Sequence, residues 1–392
     1  MSKLVLKGFV KPILGTDPEA FFSKNGKVIG SEKVMPEGGV IYRHGITTLN
    51  ANATGENKVI MDGVQFELNP LPSQCRESLS ANIQNCFMYL ENRLKEANGI
   101  RKYGRYAIKA DFSQLIEVDE DEFASLSGDC KRFGCMPSKN AYNEPKAVNN
   151  VDPTKYRIRC AGGHIHIGKT TQTQPPEWNT KVNLADVLKD DVRLIKLMDV
   201  IVGNTCVLLD RDPGNVERRK VYGRAGEYRT PPHGIEYRTI SNFWLRSYPL
   251  FGFVMGLSRL AVNILANGNE YYNAIMEKVN EEDIRKAINE NDFELAYSNF
   301  NKIEETLLEM IDGSAEQYSH PFSRKTMPMF KHLVKVGIDK YWDKKKVLQH
   351  WRNRGGGNGW GDFLDYVIGD ELKPKTNNAN TSPIGSTGYN GI

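Results

Sequence analysis

Several short stretches of the chain alternate apolar and polar residues with a period of two, and most of them end in a turn signal. The alternation is clearest in Met61-Asp-Gly-Val-Gln-Phe-Glu-Leu-Asn-Pro70. There Gln65, Glu67 and Asn69 fall on one face of a strand and Val64, Phe66 and Leu68 on the other. From Val10 the chain reads as one strand through Gly15-Thr-Asp-Pro-Glu-Ala-Phe-Phe22, turns at Lys24-Asn25-Gly26-Lys27 and returns through Val28 and Ile29. Asn-Gly between two apolar runs is a strong hairpin signal. A strand over about 156–168 ends in Cys160-Ala-Gly-Gly-His-Ile-His-Ile-Gly168, and others are expected near 103–110 and 234–238.

Helical spacing takes over elsewhere. Residues 73–99 place Leu79, Ile83, Phe87, Leu90 and Leu94 on one stripe, and Gly99 supplies the stop. Residues 183–209 predict a helix that buries Val192, Ile195, Met198, Val202 and Cys206. Beyond Leu245 further helices are expected at about 246–267, 281–289, 301–312 and 328–349. Residues 31–60 read as a long loop with short strands, and 112–155 show no clear period. Residues 351–360 form a glycine-rich loop or linker turn, and 375–392 have the composition of a disordered or partner-bound tail.

Placing the titratable residues on these elements brings chemistry in. His164 and His166 are two apart, so both imidazoles face one way, and Gly162 and Gly163 before them allow a bulge or a close approach. Asp17 and Glu19 likewise share a side of their strand, where a cation would relieve their repulsion. Val216-Glu-Arg-Arg-Lys-Val-Tyr-Gly-Arg-Ala-Gly-Glu-Tyr-Arg229 reads as a basic loop of forked donors and glycines suited to an anion. Glu236 and Arg238 share a face of the next strand, as a surface ion pair would. Each motif alone fits a plain structural role, but together they point to a metal and phosphate site.

Composition narrows the class. A hydrophobic content of 40% over 392 residues suffices for a sizeable core. A formal charge of +4 lacks the basic footprint of a nucleic-acid binder. Six cysteines show no CxxC spacing. Cys130 and Cys135 lie closest, and reduced cytoplasmic thiols are expected in a chain with no signal peptide and no long apolar run.

The motifs DPE, DGVxxExNP, GGHIHIG, YGxAGxYR and GIEYR, in this order, resemble the phage branch of the carboxylate-amine ligases, or amidoligases, within the glutamine synthetase and glutamate-cysteine ligase superfamily. The resemblance covers about residues 10–245 and leaves the later helices unmatched. It implies an α+β catalytic core over 1–245, with a curved, mainly antiparallel sheet whose outer face is covered by the helices near 76–98 and 185–209. A helical region over 246–374 would pack on this core, followed by the tail.

The same resemblance implies ATP and magnesium or manganese as cofactors. Glu19 with Asp62 or Glu67 would hold one ion, and Asp17, His164 and Glu236 the other. His166, Tyr222, Gly223, Arg224 and Arg238 would bind the nucleotide, and Arg238 with Arg219, Arg224 or Arg229 would grip the transferring phosphate. Glu67 is the candidate base where the metal leaves it free. Two departures stand out: Asp17 replaces a longer glutamate, and the arginines before Glu236 are spaced differently.

The chemistry implied is amide formation through an acyl phosphate, with ADP and phosphate released. The partners would be a small-molecule or peptide carboxylate and an amine, in the host cytoplasm for a phage-encoded enzyme. No membrane is implied, and homo-oligomers stay open. The alternatives are a metal-dependent hydrolase using the same ligands, or a non-catalytic phage assembly or virion protein that keeps the fold.

Overall fold

The computed structural model describes residues 4–35, 40–42, 57–99, 107–133, 138–143, 152–168, 184–314, 317 and 320–352. Cys135, the glycine-rich stretch 353–360 and the tail 375–392 lie outside the described residues. The strands are β1 (Leu14–Thr16), β2 (Glu19–Lys24), β3 (Lys27–Ile29), β4 (Val40–Tyr42), β5 (Asn57–Asp62), β6 (Gln65–Asn69), β7 (Ile108–Asp111), β8 (Leu115–Glu117), β9 (Lys139–Asn140), β10 (Ile158–Cys160), β11 (Ile165–Gly168), β12 (Glu227–Arg229) and β13 (Gly234–Tyr237).

The fold is mixed α and β, and the expected single curved sheet is instead divided. One sheet runs β1-β11-β13-β12-β9, a second runs β3-β2-β6-β5-β4 with β7 also on β2, and β10 pairs with β8. Every described pairing is antiparallel. Two expected strands are broken where they pass between sheets. The strand from Val10 to Phe22 stops at Asp17-Pro18, since β1 belongs to the first sheet and β2 to the second. Proline has no N–H to continue a ladder, and the Pro18 carbonyl accepts instead from Leu68 N at 3.0 Å. The strand over 156–168 breaks at residues 161–164 in the same way, with β10 and β11 in different sheets.

The β2–β3 hairpin forms as expected, with Asn25 at φ 53° and Gly26 at φ 83°. A second hairpin, β5–β6, turns at Gly63 and Val64, with Gly63 at φ 61°.

Helix Arg76–Ala97 packs on β5, β6 and β7. The helix expected over 183–209 is interrupted. Asp190 accepts from Arg193 N and caps a new segment, Asp191–Met198, which continues through a π-helical turn, Asp199–Gly203, into Asn204–Val207. Ile195, Met198, Val202 and Cys206 are buried there, but Val192, in the first turn of the segment, is 39% exposed. The basic stretch is not all loop, since Gly214–Val221 is helical. Later helices are Tyr248–Ala266, Asn269–Met276, Glu281–Asn289, Phe293–Ile311, Met327–Val336 and Val347–Arg352.

The chain does contain a long apolar helix, contrary to expectation. Tyr248–Ala266 is apolar enough to cross a membrane by length and composition, with a mean hydropathy of 1.6, and 89% of that window is buried inside the protein. It is the central core helix. Residues near the start of the chain bind to it, with Val10 N donating to Asn263 Oδ1 at 2.6 Å and Asn263 Nδ2 to the Val10 carbonyl at 3.0 Å. One hydrophobic cluster runs from Leu6 to Trp351 and takes in this helix. Cys75, Cys86, Cys130, Cys160 and Cys206 are free thiols.

His320 is buried in this helical half, with the Phe322 N–H donating to its Nδ1 at 3.1 Å. Burial, then Arg76, pushes its imidazole down to about 3 from 6.5. A group depressed in the folded state binds its proton more readily when unfolded, so stability falls as pH drops from 6.5 toward 3. The expected loss by pH 5 is about 2 kcal/mol from this group. Denaturant unfolding at pH 7.5 and 5 checks it: His320→Gln should flatten the difference, and an unchanged pH slope would refute the assignment.

Candidate functional site

The register of the first sheet assembles half of the site. Gly15, His166, Glu236 and Arg229 are successive cross-strand partners on β1, β11, β13 and β12, so one row crosses four strands. The next row, Thr16, Ile165, Tyr237 and Tyr228, is buried against the core. Alternation sends Ile165 and Ile167 into that core and His164 and His166 to the opposite face. In the second sheet Glu19 lies directly across from Glu67, and Asp62 pairs with Gln65 at the hairpin end.

These registers create two triads. Ligand atoms of Asp17, His164 and Glu236 lie within 4.8 Å of one another, as do those of Glu19, Asp62 and Glu67. In the first, His164 Nδ1 is 3.2 Å from Asp17 Oδ1 and 3.4 Å from Glu236 Oε1. His166 Nε2 reaches Asp17 Oδ2 at 3.1 Å, so the two imidazoles bracket one carboxylate. Burial alone would raise the Asp17 carboxyl, but His166 and His164 hold it well below the usual carboxylate range.

Glu236, 1% exposed, receives a bidentate pair from Arg229, Nε to Oε2 at 2.8 Å and Nη2 to Oε1 at 2.7 Å, and Arg238 Nε lies 3.3 Å from Oε1. Glu236 and Arg238 are therefore buried, which sets aside the plain alternative of a surface ion pair. Burial opposes ionisation of Glu236, and His164 and Arg229 still hold its carboxyl below its ordinary value.

The second triad is an acid cluster. Glu19 is 1% exposed, and its Oε2 accepts from Gly162 N at 2.7 Å, Tyr222 OH at 3.0 Å and Gln65 Nε2 at 3.2 Å. Burial, then Glu19 and Asp17, pushes Asp62 up to about 7. Burial, then Asp17, Asp62 and Glu19, raises Glu67 well above its ordinary value, and Asn69 donates to its Oε1 at 3.2 Å. Asp17 acts on both members, so the triads adjoin.

Gly162 and Gly163 let the turn between the sheets sit close to its neighbours. A Cβ on Gly162 would meet His164 Nε2 at 2.3 Å and Tyr222 OH at 2.7 Å, and one on Gly163 would meet the Ser241 carbonyl at 2.3 Å.

The arginine choice left open by the sequence narrows here. Arg229 and Arg238 lie on Glu236. Arg219 does not join them: it is buried on the helical side, where Nη1 donates to Asn291 Oδ1 at 3.0 Å, because the helix Gly214–Val221 turns it inward. Tyr222 bonds the Glu19 carboxylate, Gly223 N donates to Glu227 Oε2 at 2.8 Å, and the Arg224 carbonyl accepts from Thr239 Oγ1 at 3.0 Å. Sequence reasoning missed His233, whose Nε2 lies 2.9 Å from His166 Nδ1 with the two rings stacked at 5.1 Å. Its position one residue before Gly-Ile-Glu was the available signal.

Both triads fit a divalent cation on donor chemistry. Asp17 Oδ1, both ring nitrogens of His164 and His166 Nε2 are buried and make no well-formed hydrogen bond, a state that costs free energy unless something else engages their lone pairs and N–H groups. In the second triad three half-buried or buried carboxylates crowd together, and their mutual repulsion, which raises Asp62 and Glu67, is what a cation would relieve.

Residues 182–352, a little under half of the chain, match the family model described as Phage phiEco32-like COOH.NH2 ligase-type 2. The match supports a carboxylate-amine ligase. It takes in the helices that the motif resemblance left aside, together with Tyr222, Arg229, His233, Glu236 and Arg238, whereas Asp17, Glu19, Asp62, Glu67, His164 and His166 precede it. No curated protein matches the chain.

Proposed function

We propose that this protein is an ATP-dependent carboxylate-amine ligase of glutamine synthetase-like design, in which a carboxylate is phosphorylated by ATP and the acyl phosphate is then attacked by an amine. The observation that carries the reading is the convergence of six side chains of metal-ligating type in two adjoining triads, with Arg229 and Arg238 on Glu236.

Asp17, His164 and Glu236 would hold one magnesium or manganese ion, and Glu19, Asp62 and Glu67 the other. Such ions, when bound, neutralise phosphate charge and polarise the transferring group. The chain's own residues do the remaining work. Gly162 N, Gln65 and Tyr222 orient the Glu19 carboxylate, and His166 helps to keep Asp17 ionised. Arg229 and Arg238 supply fixed positive charge beside the cluster, where charge develops on the phosphoryl oxygens. Glu67 is assigned to the second ion, and its role as the base that takes the amine proton is the alternative. No side-chain nucleophile is needed, because ATP converts the carboxylate oxygen into a leaving group. Cytoplasmic action on a small-molecule or peptide carboxylate and an amine completes the reading.

The test is ADP release by the purified protein with ATP and magnesium against a panel of carboxylates and amines. ADP formed only when a particular acid and amine are both present is the expected result. Metal-dependent hydrolysis without ADP, or no magnesium-dependent nucleotide binding, would overturn it.

A further inference from the structure

The strand that presents Glu236 and Arg238 is gripped from its other face by a carboxyl group that none of the motifs includes. Asp199 is wholly buried at the first position of the π-helical turn Asp199–Gly203. Its Oδ1 accepts from Tyr237 OH at 2.8 Å. Tyr237 lies between Glu236 and Arg238, so alternation puts its ring on the helix side while both neighbours face the triads. The π turn and Gly203 together bring the helix this close: a Cβ on Gly203 would stand 2.5 Å from Tyr237 OH. A π turn within a helix is often a feature of functional sites.

Asp199 also touches Thr239 Oγ1 at 3.3 Å, and that hydroxyl lies 3.0 Å from the Arg224 carbonyl. A hydroxyl carries one proton and a carbonyl only accepts. Asp199 Oδ1 thus gathers both hydroxyls, Tyr237 directly and Thr239 in a longer contact shared with the Arg224 carbonyl. Burial pushes the Asp199 carboxyl up to about 7, opposed by the donors Tyr237, Tyr142, the Gly226 N–H and Thr239. Helix, strand and the turn at Arg224 thus meet at one side chain.

We infer that Asp199 is a positioning residue: through Tyr237 and Thr239 it sets the placement of the strand and turn that carry Glu236, Arg238 and Arg224, and hence the geometry of the metal triad. The inference rests on the reading of that triad as a metal centre.

Manganese titration of the full-length protein, followed calorimetrically, tests it. Asp199→Ala is expected to weaken manganese binding about tenfold or more, and Asp199→Asn, which keeps the acceptor oxygen for Tyr237 and Thr239, to stay within about threefold of wild type. Tyr237→Phe deletes only the hydroxyl and should weaken binding in the direction of Asp199→Ala. It serves as the deciding variant if Asp199→Ala does not fold. Wild-type binding with unchanged affinity in Asp199→Ala, or in Tyr237→Phe where that variant decides, would overturn the role of Asp199 and leave the metal reading intact. A loss in Asp199→Asn as large as in Asp199→Ala would overturn the hydrogen-bonded hub, since asparagine keeps its acceptor. A wild-type protein that binds no manganese would instead remove the metal reading, and this inference with it.

Discussion

Glu19→Ala is expected to cut ADP release by on the order of a thousandfold, comparable to removing a preorganised electrostatic group from an active site. Glu19 is buried at the meeting point of the sheets, and one of its oxygens gathers donors from Gly162, Gln65 and Tyr222. Alanine removes both the charge and the acceptor, so about 1–3 kcal/mol of stability is expected to go with the orphaned donors. Glu19→Gln separates the two effects, since it keeps an acceptor and the side-chain shape but loses the charge. It should unfold close to wild type while its activity falls nearly as far. Activity within tenfold of wild type in Glu19→Gln would show that the carboxylate charge is not what the site uses.

The second large effect concerns stability. Trp351 is wholly buried, its Nε1 donates to the Leu245 carbonyl at 2.6 Å, and its ring meets Phe87 at 5.4 Å, Phe251 at 5.9 Å and Tyr248 at 6.4 Å. One side chain thus joins the helix Val347–Arg352 to Arg76–Ala97 and to the core helix Tyr248–Ala266. Trp351→Ala leaves a cavity among three aromatic rings and an unpaired carbonyl, and a loss of about 3–5 kcal/mol is expected. Urea unfolding measures it directly. A loss below about 1 kcal/mol would mean that the last helix does not contribute to the core as this packing requires.

Much of the site was legible because period-two alternation is a local property. Gln65, Glu67 and Asn69 do share a face, and His164 and His166 both reach Asp17. Asp17 and Glu19 show where the same rule stopped working. Two residues apart on one unbroken strand, they would have shared one ion, but the strand breaks at Asp17-Pro18, between a β1 that ends at Thr16 and a β2 that starts at Glu19, and the two carboxylates enter different triads. Arg219 and Arg229 looked interchangeable as members of one basic loop. A two-turn helix buries the first against Asn291, and strand register lays the second on Glu236. His233 and Asp199 carried no motif, since each matters only through a partner distant in the chain, His166 and Tyr237.

What the sequence determined by itself is therefore the inventory and the local geometry: which stretches are strands or helices, which side chains on each share a face, and that carboxylates, histidines and arginines of one chemistry recur on them. Those follow from backbone periodicity, glycine and proline, all of which act within a few residues. Only the tertiary structure decided which carboxylates meet, which arginine reaches Glu236, and that a buried acid grips the strand from behind. Those outcomes depend on sheet partners and register between segments as much as about two hundred residues apart, such as Glu19 and Tyr222, and pairing at that range is set by the packing of the whole core, to which no single stretch holds the key.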